Sequence, residues 1–457
     1  MIAFLTNNGE EITLNALKKT EEGVEPVLYD LKDGLGRTWM ELRLENNKFQ
    51  ILTQQSDIDE DQESLLEKLD YLVLLVIEAA QSGIDETEVN ITVEEDPYDP
   101  ESIKVQTKPF NLTLISSMID KGYIDLAPDF QRNFVWDSFQ KSRLIESILL
   151  RIPLPMFYFS EDEEGNISVV DGLQRLTTIK EFMDNKFSLK GLEYLAKTCD
   201  GRYYSDKSKG QVLDAKYLKW FDMTQLTVNV IDPSSPPKVK YDIFRRINTG
   251  GKPLNNQEIR NCLASRNLRA ILKSMTDLPE FKIATDWSIK STRMEDIEVT
   301  LRFICFHRLY NEDRDLNNYN GNMELILDNF TERLGKSKIE DLEKYIVLFS
   351  NAMKNAAHLF GGRYAFRKIM PWHLEPGKSK QLINKALFLS WSVLLSNYLP
   401  REIEENNRAG SLAQPLAQKI SDDKILFNFL SYGTNGKANL QYAFSCAKEI
   451  IDNNLQV

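Results

Sequence analysis

Asn166-Ile-Ser-Val-Val-Asp171-Gly172-Leu173-Gln174-Arg175-Leu176-Thr177-Thr178-Ile179 changes its hydrophobic period half-way along. Ile167, Val169 and Val170 form a short β-branched run, which reads as a strand. Asp171-Gly172 is turn chemistry, and glycine lets the backbone bend sharply there. From Leu173 the apolar residues Leu173, Leu176, Ile179, Phe182 and Met183 fall on one helical face. The stretch therefore predicts strand, corner, helix. Asp171, Gln174 and Arg175 gather where a strand ends and a helix begins. Free backbone N–H groups and the positive end of the helix dipole suit an anion such as phosphate at that point. Arg175 adds a planar, permanently charged fork for phosphate oxygens. A plainer reading fits the same residues: Asp171 caps the helix, and Arg175 pairs with Asp171 or Glu181.

Outward from the corner, Met156–Ser160 reads as the preceding strand, joined to Ile167–Val170 by a hairpin turn at Glu161–Asn166. Before it, Asp137-Ser138 caps an amphipathic helix over Phe139–Leu150, stopped by Pro153 and Pro155. Phe110–Ile119 reads as a helix or a strand-to-helix entry. Pro128–Trp136 sets the charged and amide groups of Asp129, Gln131, Arg132 and Asn133 among aromatic residues. After the corner, Lys186–Trp220 is rich in Lys, Gly and Tyr and reads as an insert with short elements, in the manner of a mobile lid. Leu226–Ile231 is the next strand, and Lys238–Ile247 a helix.

That helix runs into Phe244-Arg245-Arg246-Ile-Asn248-Thr249-Gly250-Gly251-Lys-Pro-Leu-Asn255-Asn-Gln-Glu258. Gly250-Gly251 ends one helix, and Asn255 with Glu258 three residues later is a capping box for the next. The loop between them is either an ordinary helix-to-helix connection or a cradle whose N–H groups wrap phosphates. Beyond Asn261 the pattern is helical: Leu268–Met275, Glu295–Tyr310, Glu324–Leu334, Ile339–Phe360, Lys378–Asn397 and Ala438–Asn453. Arg363–Lys368 reads as a basic-aromatic patch.

At the other end, five short apolar runs within residues 1–56 predict a β-rich module, followed by a helix over Ser64–Gln81 that must pack on something. The chain of 457 residues carries a net charge of −12, yet residues 57–101 hold sixteen acidic residues against the single Lys68. That segment is at −15, so the rest is at +3, and overall acidity does not exclude nucleic acid as a partner. The acid run is either a solvated linker or a nucleic-acid mimic. No apolar run reaches the roughly 20 residues of a membrane span. The four cysteines have no paired spacing, which argues against a zinc site or disulfide framework and for a cytoplasmic protein.

Four motifs in one order carry a resemblance: Pro128-Asp-Phe-Gln131-Arg132, Ser142-Arg143-Leu-Ile-Glu146 running on to Ile152-Pro153-Leu-Pro155, Asp171-Gly172-Leu-Gln174-Arg175, and Arg246-Ile-Asn248-Thr249-Gly250-Gly251 with Gln257-Glu258. They resemble the GmrSD N-terminal domain family over roughly residues 105–450, with Arg293-Met294-Glu295-Asp296 and Leu301-Arg302-Phe303 similar to its helical continuation. The resemblance implies an α+β fold. A small mixed core similar to ParB and sulfiredoxin occupies 101–265, a large helical domain 266–457, and the β-rich module with its acidic helix and linker 1–100. It further implies nucleotide binding, with NTP hydrolysis expected, in a bacterial DNA-modification-dependent restriction or phage-defence system.

Carried over residue by residue, Asp171, Gln174 and Arg175 become catalytic candidates. Gln131, Arg132, Gly172, Thr177, Thr178, Asn248, Thr249, Gly250 and Gly251 become nucleotide contacts, and Asp171 a ligand of the Mg²⁺ expected with the NTP. Leu173 departs from the family's usual glutamine, at a place where the side chain is expected to enter the core. Restriction members carry an HNH-type nuclease. His373-Leu374-Glu375-Pro376 mimics its start, but His307, His358 and His373 are the chain's three histidines, so His373 reads as structural. The expected partners are an NTP, DNA (contacted by Arg245, Arg246, Arg363 and Arg367), and a separate effector or nuclease, with a homo-oligomer also open and neither zinc, haem nor membrane involved. The alternatives are a ParB-like DNA-binding or nicking module and a non-catalytic adaptor.

Overall fold

The computed structural model describes residues 2–8, 11–19, 26–33, 37–45, 48–82, 104–126, 136–162, 164–235, 240–241, 243, 246, 254–431 and 433–456. Gln131, Arg132, Arg245, Asn248, Thr249, Gly250 and Gly251 lie outside them, as does the acidic stretch from residue 83 to residue 101. The chain divides into two compact units, Met1–Glu94 with Ser265–Val457, and Glu95–Ala264. The fold class is α+β.

In the first unit, β1 (Ile2–Leu5), β2 (Glu11–Lys18), β3 (Val27–Lys32), β4 (Thr38–Glu45) and β5 (Lys48–Gln54) form an antiparallel meander in chain order. Helix α1 (Gln62–Ser82) covers one face of it: Leu69, Leu72 and Val73 are buried with Phe4, Leu14, Leu31, Met40 and Leu42. The helix over Ser64–Gln81 thus finds its partner in the adjoining sheet. The module has its own core yet groups with the helices beyond Ser265, and α1 also touches the turn Thr292–Met294.

The second unit holds a mixed sheet of β6 (Val105–Asn111), β7 (Ile124–Asp125), β8 (Phe157–Glu161), β9 (Ile167–Asp171) and β10 (Gln225–Ile231), in the order β6-β10-β8-β9-β7. β8 and β9 are the antiparallel hairpin, β10 runs parallel to β8, and β7 runs parallel to β9. Helices α2 (Leu112–Asp120), α3 (Ser138–Leu149) and α4 (Leu173–Met183) cover one face. Leu112, Ile115, Ile145, Ile148, Leu176, Ile179 and Phe182 are buried there with Phe157, Phe159, Ile167 and Val169. Strand side chains alternate between faces, and Val170 goes to the other side, against Ile231, Tyr241, Ile259 and Cys262.

The insert departs from its sequence reading. Short helix α5 (Ala196–Cys199) and most of α6 (Ala215–Asp222) do occur in it, but Leu189, Leu192, Cys199 and Leu213 are buried in the main core of the unit, with Phe221 just beyond the insert. It is part of the globule and not a lid.

Helix α7 (Asn256–Leu263) closes the second unit. The first unit resumes with α8 (Arg266–Asp277), α9 (Pro279–Ala284), α10 (Glu295–Glu312), α11 (Met323–Gly335), α12 (Ile339–Phe360), α13 (Lys385–Leu395), α14 (Pro400–Asn406), α15 (Ala413–Asp422), α16 (Lys424–Phe429) and α17 (Lys437–Asn454). The helix expected over Lys378–Asn397 starts only at Lys385, because Asn384 caps it by accepting from Leu387 N–H at 3.1 Å. Within α10 the family-like motif has a structural role. Glu298 Oε1 accepts from Arg302 Nε at 2.8 Å and from Lys385 Nζ at 3.1 Å, and Glu295 Oε2 lies 3.3 Å from the same ammonium. All four side chains are buried, so each charge depends on the others for its solvation.

Candidate functional site

The corner forms as its sequence implies. β9 ends at Asp171, Gly172 takes the left-handed conformation (φ 95°, ψ 10°) at the N-cap of α4, and no side chain caps that helix. An uncapped start leaves the first-turn N–H groups without intrahelical partners. Leu173 is buried, as expected of a residue that replaces a polar one at the core edge. Thr178 is buried as well, whereas Gln174, Arg175 and Thr177 lie between core and surface. Opposite the corner, the register of β8 on β9 slips between Tyr158 and Phe159, so Tyr158 pairs with Asp171 and Phe159 with Val169. Such bulges redirect strand ends and are enriched beside functional sites.

Arg175 is more committed than an open phosphate fork. Nη2 donates to Asp171 Oδ2 at 2.8 Å and to the Met156 carbonyl at 3.1 Å, and Nη1 donates to the Pro155 carbonyl. Its guanidinium lies 4.2 Å from the centre of the Phe157 ring. The side chain is 13% exposed; burial pushes its pKa down and Asp171 opposes that shift. Of the plainer alternatives, Asp171 does not cap α4 but does pair with Arg175, and Glu181 pairs instead with Lys141 at 2.7 Å. The arginine is a brace that fixes the Asp171 carboxylate to the end of β8.

A divalent ion arriving with phosphates needs only one or two protein carboxylates. The Asp171 side chain is 35% exposed with one oxygen on Arg175, so the donor type and access fit Mg²⁺. Among the described residues no three His, Cys, Asp or Glu side chains gather into a metal-binding group.

The other candidates are scattered. Arg246 is exposed on a helical residue. Arg363 is exposed and its Nη2 donates to the Lys378 carbonyl. Arg367 is the clear correction: it is 1% exposed and cannot reach a DNA phosphate. It donates from Nε to the Arg363 carbonyl at 2.9 Å, and from Nη2 to the Thr285 carbonyl at 2.9 Å and Ser288 Oγ at 2.7 Å. Phe366 is buried beside it, so Arg363–Lys368 is a junction of loops and not a surface patch. The histidines are structural too. His358 Nε2 bonds the Asn407 carbonyl oxygen at 2.8 Å, and His373 Nδ1 accepts from Met370 N–H at 2.9 Å.

Sequence reasoning missed Glu146. Its buried carboxylate accepts from the backbone N–H groups of Tyr194 (2.7 Å), Leu195 (2.8 Å) and Glu193 (3.0 Å), which ties the insert to α3. The signal was present: a glutamate in the run Leu144-Ile145-Glu146-Ser147-Ile148-Leu149, one turn from Leu149 and Leu150.

Residues 113–265 match the family described as GmrSD restriction endonuclease, N-terminal domain. This segment belongs to that family. The GmrSD N-terminal domain spans about a third of the chain and covers α2 to α7 with β7 to β10, while strand β6 of the mixed sheet precedes it. It is shorter than the span suggested by motif order: Arg293–Phe303 and the other helices beyond residue 265 are outside it. No curated protein matches the chain. No helix among the described residues is long and apolar enough to cross a membrane, and the four cysteines are free and buried.

Proposed function

We propose that the chain is a nucleotide-binding and NTP-hydrolysing regulatory protein of a DNA-modification-dependent restriction or anti-phage system, in which a separate effector or nuclease does the cutting. The observation that carries this reading is the uncapped start of α4 at Gly172, with the Asp171 carboxylate held beside it by Arg175. Membership of the 113–265 segment in the GmrSD family supports the restriction setting. In this reading the phosphates lie against the N–H groups of Leu173 and Gln174. Asp171 would hold the Mg²⁺, which supplies charge neutralisation on phosphate oxygens. Gln174 orients a water or phosphate oxygen, and Arg175 is a positioning residue acting through Asp171. Gln131, Arg132 and the loop Asn248–Gly251 complete the proposed contacts, and the core is ParB- and sulfiredoxin-like.

The test is a titration of the full chain with ATP and with GTP, with and without Mg²⁺, read by calorimetry and by phosphate release. Mg²⁺-dependent binding with release supports the reading. Binding without release makes the chain an adaptor. Absence of binding by either nucleotide at millimolar concentration sinks the proposal.

A further inference from the structure

The described part of the second unit carries a second feature, remote in kind from the corner. Helix α3 ends in a Schellman turn: Ile152 N–H donates to the Ser147 carbonyl and Arg151 N–H to the Ile148 carbonyl, each at 2.9 Å. Position 151 is therefore left-handed, with φ 59°. Glycine is the usual occupant of that position and an arginine is strained there. The arginine nevertheless lies with its guanidinium 4.4 Å from the centre of the Trp220 ring on α6, and Lys216 Nζ lies 4.5 Å from the same ring. Trp220 stands edge-on to Tyr217 at 5.6 Å, and the Tyr217 hydroxyl lies 3.3 Å from Thr198 Oγ1. That bond leads back to the loop that Glu146 holds, where Tyr194 is 72% exposed although its backbone is fixed. Arg143, on α3, lies 4.0 Å from Glu193 and is itself exposed.

An exposed tyrosine whose backbone N–H is anchored and a tryptophan flanked by two cations are thus linked through Tyr217 and Thr198. The insert that supplies them, Lys186–Trp220, has eight basic and four acidic residues. Of those acids, Asp214 pairs with Arg202 and Glu193 faces Arg143. Flat rings beside unpaired cations match unstacked bases and their phosphates. We infer that the face formed by Arg143, Arg151, Tyr194, Lys216 and Trp220 binds single-stranded nucleic acid, with bases stacking on Tyr194 and phosphates meeting Arg151 and Lys216. This surface stands independently of nucleotide binding at Asp171.

The test is fluorescence anisotropy of the full chain with labelled oligo(dT) of about 20 nucleotides, against the same length of duplex, at salt from about 50 to 200 mM. The single strand is expected to bind more tightly than the duplex, and unlabelled poly-glutamate to compete poorly. Tyr194→Ala is expected to weaken single-strand binding about tenfold, the scale of one lost stacking contact. Arg151→Gly suits φ 59°, so thermal stability should hold or rise while the salt slope falls by about 0.7, one phosphate contact. Absence of single-strand binding, duplex preference, equal competition by poly-glutamate, or affinity unmoved by both substitutions overturns the inference. The last two outcomes point to an acidic protein partner or to a plain solvated face. NTP affinity should be the same in both variants, so failure here leaves the corner reading untouched.

Discussion

A Cβ placed on Gly172 would stand 2.3 Å from Cδ1 of Phe157 and 3.1 Å from Nη2 of Arg175. The glycine, the phenylalanine ring and the guanidinium stacked on that ring form one packed unit. Gly172 therefore serves two needs at once, a left-handed turn and a close approach of β8, and only the first is visible in an Asp-Gly pair.

Gly172→Ala should accordingly be costly. Overpacking costs about 1–3 kcal/mol, and a non-glycine residue at positive φ costs about 1 kcal/mol or more. A loss of about 2 kcal/mol or more in urea unfolding is expected for the transition that includes this unit. A loss below about 0.5 kcal/mol, the range of surface substitutions, would mean that the corner repacks freely.

An arginine serving only as a phosphate fork would leave the fold intact in Arg175→Ala. The brace geometry changes that expectation. Losing charge-assisted bonds of about 1.5–3 kcal/mol each in gross terms, partly replaced by water at the exposed Pro155 and Met156, should lower stability by about 1–2 kcal/mol. Arg175→Lys should recover little, since one ammonium cannot reproduce the fork that joins Asp171 to two carbonyls. Thermal denaturation of both variants beside the wild type checks this. Unchanged melting in Arg175→Ala would show that the brace contributes nothing.

The corner was legible because its signals are local. Period, turn and helix start all lie within fourteen residues, and the capping boxes at Asp137–Gln140 and Asn255–Glu258 span three residues each. Ile339–Phe360 was legible to the residue for the same reason. What failed depends on partners far along the chain. The carbonyl acceptors of Arg175 lie 19 and 20 residues away, and those of Arg367 up to 82. A basic residue beside aromatic ones looks the same in sequence whether it faces water or carbonyl oxygens. The insert looked loop-like because its glycines and lysines hide the apolar residues that enter the core, and the Glu146 bonds that fix it cross 47 to 49 residues.

His307 gives the first unit a definite acid response. Burial, with Lys344 and Arg314 nearby, holds its pKa down at about 4, against 6.5 for an ordinary histidine. Above pH 6.5 the ring is neutral folded and unfolded, and it contributes no pH dependence. As pH falls from 6.5 to 4 the unfolded chain takes up a proton that the folded chain refuses, so stability declines. One proton sets a ceiling of about 1.4 kcal/mol per pH unit, and partial exposure of the ring keeps the slope below it. Asp296, raised by burial to about 6, acts in the opposite sense and gains stability as pH falls below 6. The difference between His307→Gln and wild type isolates the histidine. The variant should lose less stability between pH 7 and 4.5, in denaturant titrations across that range. Parallel curves would mean that His307 titrates normally in the fold.

Glu146→Gln tests the hold on the insert. Three backbone N–H groups point at two carboxylate oxygens. A glutamine offers one oxygen, and its amide NH₂ would confront a donor. At least one part-buried N–H then loses its acceptor, a cost of up to about 1–3 kcal/mol, the figure for a fully buried group. Part of that cost should appear locally, as faster hydrogen exchange at Glu193, Tyr194 and Leu195 with little change along β9. A loosened Tyr194 must be ordered again before a base can stack on it, so single-strand affinity should fall although no surface residue has changed. Local exchange that rises while affinity stays constant would separate the two roles: the carboxylate would hold the insert to α3, but rigidity of the tyrosine would not matter for binding.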